Sequence, residues 1–136
     1  MSETDVTHET LKGYRETISL YLAMINVLKG KINFGNDNYS IKLEFGWKDV
    51  LKNDFFYSFN INFEWFSVLF NLAITFNMLG KTINKSDEDE TKLRDAIKYF
   101  QYAAFLFDKI KQEISGIVPA KELQPDMSSN YLTYVF

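Results

Sequence analysis

The chain has 136 residues, enough for one domain built on one core. Its 46% hydrophobic and 24% charged residues exclude disorder over most of the length, and a formal charge of −3 leaves no basic stripe of the kind nucleic-acid binding needs. With no cysteine, the chain can form neither a disulfide framework, nor a thiolate zinc site, nor a cysteine nucleophile.

Residues 1–6 are polar and acidic and read as a disordered tail. Nothing there resembles a signal peptide, so the default location is cytoplasmic. A first helix is predicted from Thr7, with Leu11, Tyr14, Ile18, Leu22, Ile25 and Leu28 on one apolar face, Leu20, Met24 and Val27 widening it, and Gly30 as its stop. Turn formers at Asn36, Asp37 and Asn38 precede an alternation of Ile41, Leu43, Phe45 and Trp47 with polar residues or glycine, the pattern of a half-buried strand. Ile32 and Phe34 are placed in its hairpin partner, and Asn53 and Asp54 mark the next break.

A second helix is predicted from Asn60 to Leu79, stopped by Gly80. Phe63, Phe66, Leu69, Phe70, Ala73, Ile74 and Phe76 cover most of its circumference, so it is a central helix with neighbours on several sides. Glu64, Asn71 and Asn77 interrupt its apolar run, which therefore reads as buried rather than membrane-spanning. The two asparagines are expected to hydrogen-bond neighbouring elements.

Ser86 and the acidic residues 87–90 cap a third helix reaching about Ser115, with Leu93, Ile97, Phe100, Ala104, Phe107, Ile110 and Ile114 as its buried stripe. Ala103 and Ala104 would let a neighbouring helix approach closely. Pro119 and Pro125 bracket a loop, and a fourth helix is predicted from Asp126, with Tyr131, Leu132, Val135 and Phe136 apolar. The fold class is mainly α, with a helical-hairpin (tetratricopeptide-like) solenoid core and a small β-hairpin.

Three blocks carry a family resemblance: Phe-Gly-Trp-Lys-Asp (45–49), Phe-Glu-Trp-Phe-Ser-Val-Leu-Phe-Asn-Leu-Ala (63–73) and Lys-Leu-Arg-Asp-Ala-Ile-Lys-Tyr-Phe-Gln-Tyr-Ala-Ala (92–104), in that order, with an acidic linker before the third. Together they resemble the early-to-middle part of a BRO domain over nearly the whole chain from about His8. The resemblance implies a non-enzymatic adaptor that binds the C-terminal amphipathic helix of an ESCRT-III filament subunit in endosomal sorting and membrane remodelling. It also implies recruitment from the cytoplasm to endosomes, including peripheral membrane association without a transmembrane segment. The family's domain begins earlier and continues past Phe136, so residues 7–136 are expected to be a partial BRO-like domain truncated at both ends, with much of the groove outside the chain. Glu90, Arg94 and Lys98 match an acidic, basic, basic set that faces the partner helix in the family.

At i, i+4 and i+8, Glu90, Arg94 and Lys98 share one helix face, which is also the pattern of an ordinary solvated stripe with Glu–Arg pairing. Trp47 and Trp65 sit in apolar register and read as core before they read as binding anchors. His8, the single histidine, lies near the frayed start and lacks the positioned partner that a general base or metal ligand needs. Residues 87–90 lack the ligand spacing of a calcium loop, and there is no phosphate-binding or nucleophile motif. No enzyme, cofactor or metal is expected. The alternative function is a structural helical domain used for intramolecular docking or self-association, including a homodimer of this fragment.

Overall fold

The computed structural model describes residues 7–33, 42–48, 54–83 and 90–117, the side chains of 115–117 excepted. Helix α1 (His8–Lys31) opens on Thr7, whose hydroxyl accepts the Thr10 N–H at 3.2 Å and satisfies one free donor of the first turn. Helix α2 (Ile61–Thr82) opens in the same way on Asn60, whose side chain accepts the Asn62 N–H at 2.9 Å. Helix α3 spans Glu90–Ile117. Strands β1 (Phe45–Lys48) and β2 (Phe55–Ser58) lie between α1 and α2 in sequence and pair antiparallel, with Trp47 opposite Phe56 and Gly46 opposite Tyr57.

The chain packs around α2. Helix α1 runs antiparallel along one side, so that Tyr21 meets Glu64 near the start of α2 and His8 meets Thr82 at its end. Helix α3 also runs antiparallel to α2, where the Phe107 ring sits edge-on to Phe70 and Tyr99 stacks on Phe76, and it meets the start of α1 through Tyr99 and His8. Phe63, Phe66, Ala73 and Leu79 on α2 are at most 1% exposed. By length and composition α2 could cross a membrane, but 72% of its most apolar stretch is buried within the protein, as in the core helix of a globular domain. One face of the hairpin (Phe45, Trp47, Phe56) packs against this core, while Gly46, Lys48, Phe55 and Tyr57 face outward. The result is the expected mainly α fold, an antiparallel helical hairpin with a third helix alongside and a small β-hairpin.

Several local expectations are corrected. The strand is only Phe45–Lys48, with Leu43 outside it and half-exposed, and its partner lies downstream, in the aromatic run 55–57, rather than at Ile32 and Phe34. Asp54 therefore directly precedes β2, and Asn53 lies outside the described residues. Gly80 does not end α2: it is buried inside the helix, where α3 passes so closely that a Cβ would lie 2.8 Å from the Phe100 ring. Gly30 likewise lies within α1.

Leu20, Met24 and Val27 do not widen the buried face of α1. They lie half a turn from Leu11, Leu22 and Ile25 and are 73%, 51% and 56% exposed. On α3 the buried stripe is Ala96, Ala103, Phe107, Ile110 and Ile114, while Leu93, Ile97 and Ala104 are exposed. The close approach between α2 and α3 is made at Gly80, which the Phe100 ring covers. Asn71 bonds its own helix, its Nδ2 donating to the Ser67 carbonyl at 3.1 Å, and Asn77 is only half-buried. The tail over 1–6, Phe34 with its turn, the Ser86 cap and the helix from Asp126 lie outside the described residues.

Candidate functional site

Glu90, Arg94 and Lys98 come together as expected on one face of α3, all exposed. Arg94 Nη2 lies 3.7 Å from Glu90 Oε2, with the side chains 76% and 86% exposed respectively, so the pair is solvated and adds little to stability. Less legible in the sequence is what lies beside them. Leu93 is 54% exposed, Ile97 47% and Phe105 66%, and one helical turn separates Leu93 from Ile97. With Ala96, Ala103, Phe107, Ile110 and Ile114 buried, the exposed side of α3 carries Leu93, Ile97 and Phe105 in a row beside one acidic and two basic side chains. Such a face suits an amphipathic helix, with apolar groups supplying affinity and charges setting register.

A second constellation ties the hairpin to the helices. The Glu64 carboxylate, 7% exposed, accepts the Tyr21 hydroxyl at 2.8 Å and the Trp47 Nε1–H at 2.6 Å. No cation among the described residues pairs with it. One carboxylate thus joins α1, β1 and α2 through two neutral donors, and a buried charge is tolerable only when it is hydrogen-bonded in this way. Burial, together with the hydrogen bond and charge of Glu64, pushes the Tyr21 hydroxyl up to about 12. The sequence signal was a lone carboxylate inside an apolar helix, which must find donors.

Trp47 and Trp65 are both half-buried against the core rather than free anchors. The Lys29 ammonium lies 5.0 Å from the Trp65 ring centre, and burial lowers its pKa, partly opposed by Glu113. Between α1 and α2 runs an open groove of about 500 Å³, lined mainly by apolar side chains such as Leu11, Ile18, Val68 and Met78, with Trp47 at its edge. His8 has defined partners: its Nδ1 is 2.8 Å from Thr82 Oγ1, and its ring meets Tyr99 edge-on. These contacts tie the start of α1 to the end of α2 and to α3. Among the described residues no three His, Asp or Glu side chains converge as metal ligands.

The profile of the BRO1-like domain matches residues 2–135. ALG-2 interacting protein X of Dictyostelium discoideum is 26% identical over 118 residues, which is 87% of this chain and 14% of that protein. No solved structure matches the chain. The chain thus spans about one seventh of that relative's length, and the family match covers the helices and the hairpin alike; it belongs to the BRO1-like domain family.

Proposed function

We propose that this chain is a non-enzymatic adaptor module that receives the C-terminal amphipathic helix of an ESCRT-III filament subunit along the outward face of α3, in endosomal sorting and membrane remodelling. The observation carrying this reading is the exposed line of Leu93, Ile97 and Phe105 beside Glu90, Arg94 and Lys98. Burying those apolar groups would supply affinity, and the charged edge would select an oppositely patterned helix. The module works in the cytoplasm and is recruited to endosomes. The outward Phe55 and Tyr57, each 59% exposed and stacked at 6.2 Å, support peripheral contact with a membrane surface through the β-hairpin.

The test is an anisotropy titration of a labelled ESCRT-III C-terminal helix peptide against the full chain, with Ile97→Asp and Lys98→Glu variants. Saturable binding, weakened by both substitutions and by salt for the wild type, is the expected result. Binding unaffected by either substitution would move the site off α3, and no binding by the folded chain would reject the reading for this partner.

A further inference from the structure

We propose that a second copy of this chain covers the outer face of α1, the two α1 helices packing antiparallel about a two-fold axis that passes between Ala23 and Met24. This does not depend on the helix-binding reading, which concerns α3. The face consists of Glu16, Leu20, Ala23, Met24, Val27 and Lys31, all exposed and all turned away from the buried Leu11, Leu22 and Ile25. Leu20 at 73%, Met24 at 51% and Val27 at 56% form an apolar stripe that no described element covers. Such a stripe on a helix otherwise packed by one face marks a docking surface.

The order of residues says what docks there. Outward from the midpoint, Ala23 mirrors Met24, Leu20 mirrors Val27, and Glu16 mirrors Lys31, with the same spacing on either side. A two-fold interface brings each patch onto itself, so residue i meets j while j meets i. Antiparallel pairing would therefore set Leu20 against Val27 twice, with Ala23 allowing close approach at the axis. The same register sets Glu16 of each copy against Lys31 of the other, so both ends carry opposite charges. Within the chain neither residue is in an ion pair with a described residue. A parallel pairing would instead bring Glu16 onto Glu16 and Lys31 onto Lys31. The face is thus self-complementary in one orientation only. A contact of one helix per copy lies near the floor of roughly 1,000 Å² for a specific interface, so the dimer is weak, with association in the micromolar range.

The experiment is sedimentation velocity on the full chain over about 1 to 200 µM, the range in which such a dimer would form. Concentration-dependent dimerisation is expected. Glu16→Lys alone and Lys31→Glu alone should each raise the dissociation constant about five- to thirty-fold, since two attractive contacts become repulsive. The double variant restores both pairs with their signs exchanged and should return the constant to near the wild-type value. Leu20→Glu should leave the chain monomeric, with helical circular dichroism unchanged because the residue is exposed. A chain monomeric throughout the range overturns the proposal. So does a dimer indifferent to Leu20→Glu, or one weakened by the single reversals but not restored by the pair.

Discussion

Substituting Glu64 perturbs the bond set that holds the β-hairpin and α1 to the start of α2. The carboxylate makes two short hydrogen bonds, 2.8 Å from the Tyr21 hydroxyl and 2.6 Å from Trp47 Nε1. Bonds to a charged group contribute roughly 1.5–3 kcal/mol each, but taking a carboxylate out of water costs several kcal/mol, so the net gain is small. What a substitution loses is the satisfaction of the two donors. Glu64→Leu removes this acceptor from an indole N–H and a phenol, at about 1–3 kcal/mol for a buried donor. Both are part-buried and water can reach them, which places the total near about 2 kcal/mol. Glu64→Gln keeps the shape. Its amide oxygen can accept from Trp47, which only donates, and its NH2 can donate to the Tyr21 oxygen, which can also accept. It should lose no more than about 1 kcal/mol. At roughly 3–5 °C per kcal/mol for a domain of this size, Glu64→Leu lowers Tm by about 6–10 °C and Glu64→Gln by under half of that. Thermal unfolding followed by circular dichroism measures both. A Leu variant as stable as wild type, or a Gln variant as damaged as the Leu, would refute the donor-satisfaction argument.

The same group of residues makes an alkaline prediction. Tyr21 is raised from 10.0 to about 12, chiefly by burial and then by Glu64, so the folded state favours its neutral form. The associated stability is fully present below the ordinary tyrosine value and is lost as pH rises from about 10 through about 12. An absorbance titration should show one late-ionising tyrosine, absent in Tyr21→Phe and shifted earlier in Glu64→Gln; a single transition near the ordinary value for all the tyrosines would contradict this. At the hairpin, replacing Phe55 and Tyr57 together with serine should reduce co-sedimentation with phosphatidylserine vesicles several-fold while thermal stability changes little, because both rings are outward. Unchanged vesicle binding would remove the hairpin from any membrane contact.

Periodicity revealed the three helices, because runs such as Phe63 to Phe76 repeat a helical spacing that few other structures tolerate. It was least informative where a residue's meaning depends on a neighbour. Gly80 carries the local signature of a helix stop, yet it is a close-approach position whose reason, the Phe100 ring, lies on another helix. β2 was missed because its aromatic run precedes the Asn60 cap without the alternation that distinguished β1. On α1 and α3 the number of apolar residues exceeds what a single packed face can use. A one-dimensional pattern shows that excess as a wide stripe and cannot say which part faces the core. In α3 the buried side is Ala96, Ala103, Phe107, Ile110 and Ile114, while Leu93 and Ile97 stay exposed, a choice that the count of apolar residues alone does not make. Glu90, Arg94 and Lys98 were readable as a helix face, but the exposure of Leu93, Ile97 and Phe105 beside them, on which their proposed role rests, depends on how α3 packs.

The outer face proposed for dimerisation is on α1 and the face proposed for peptide binding is on α3, two separate exposed surfaces of the described residues. A dimer formed through α1 would leave two α3 faces open. A filament presents its subunit termini repeatedly, so a two-headed module binds it with a second step that is effectively intramolecular. Even weak single contacts then combine, and avidity of roughly 10²–10⁴ over the single-site affinity is available when the spacing permits both to engage. This predicts that Leu20→Glu leaves the affinity for a free labelled helix peptide unchanged and weakens retention on a surface densely coated with the same peptide. Surface-plasmon measurements at low and high peptide density separate the two cases: the loss should appear only at high density and only as faster dissociation. An equal loss at both densities would mean that Leu20 acts on the peptide site itself. No loss at either density would leave the two faces independent, and the dimer without a part in recognition.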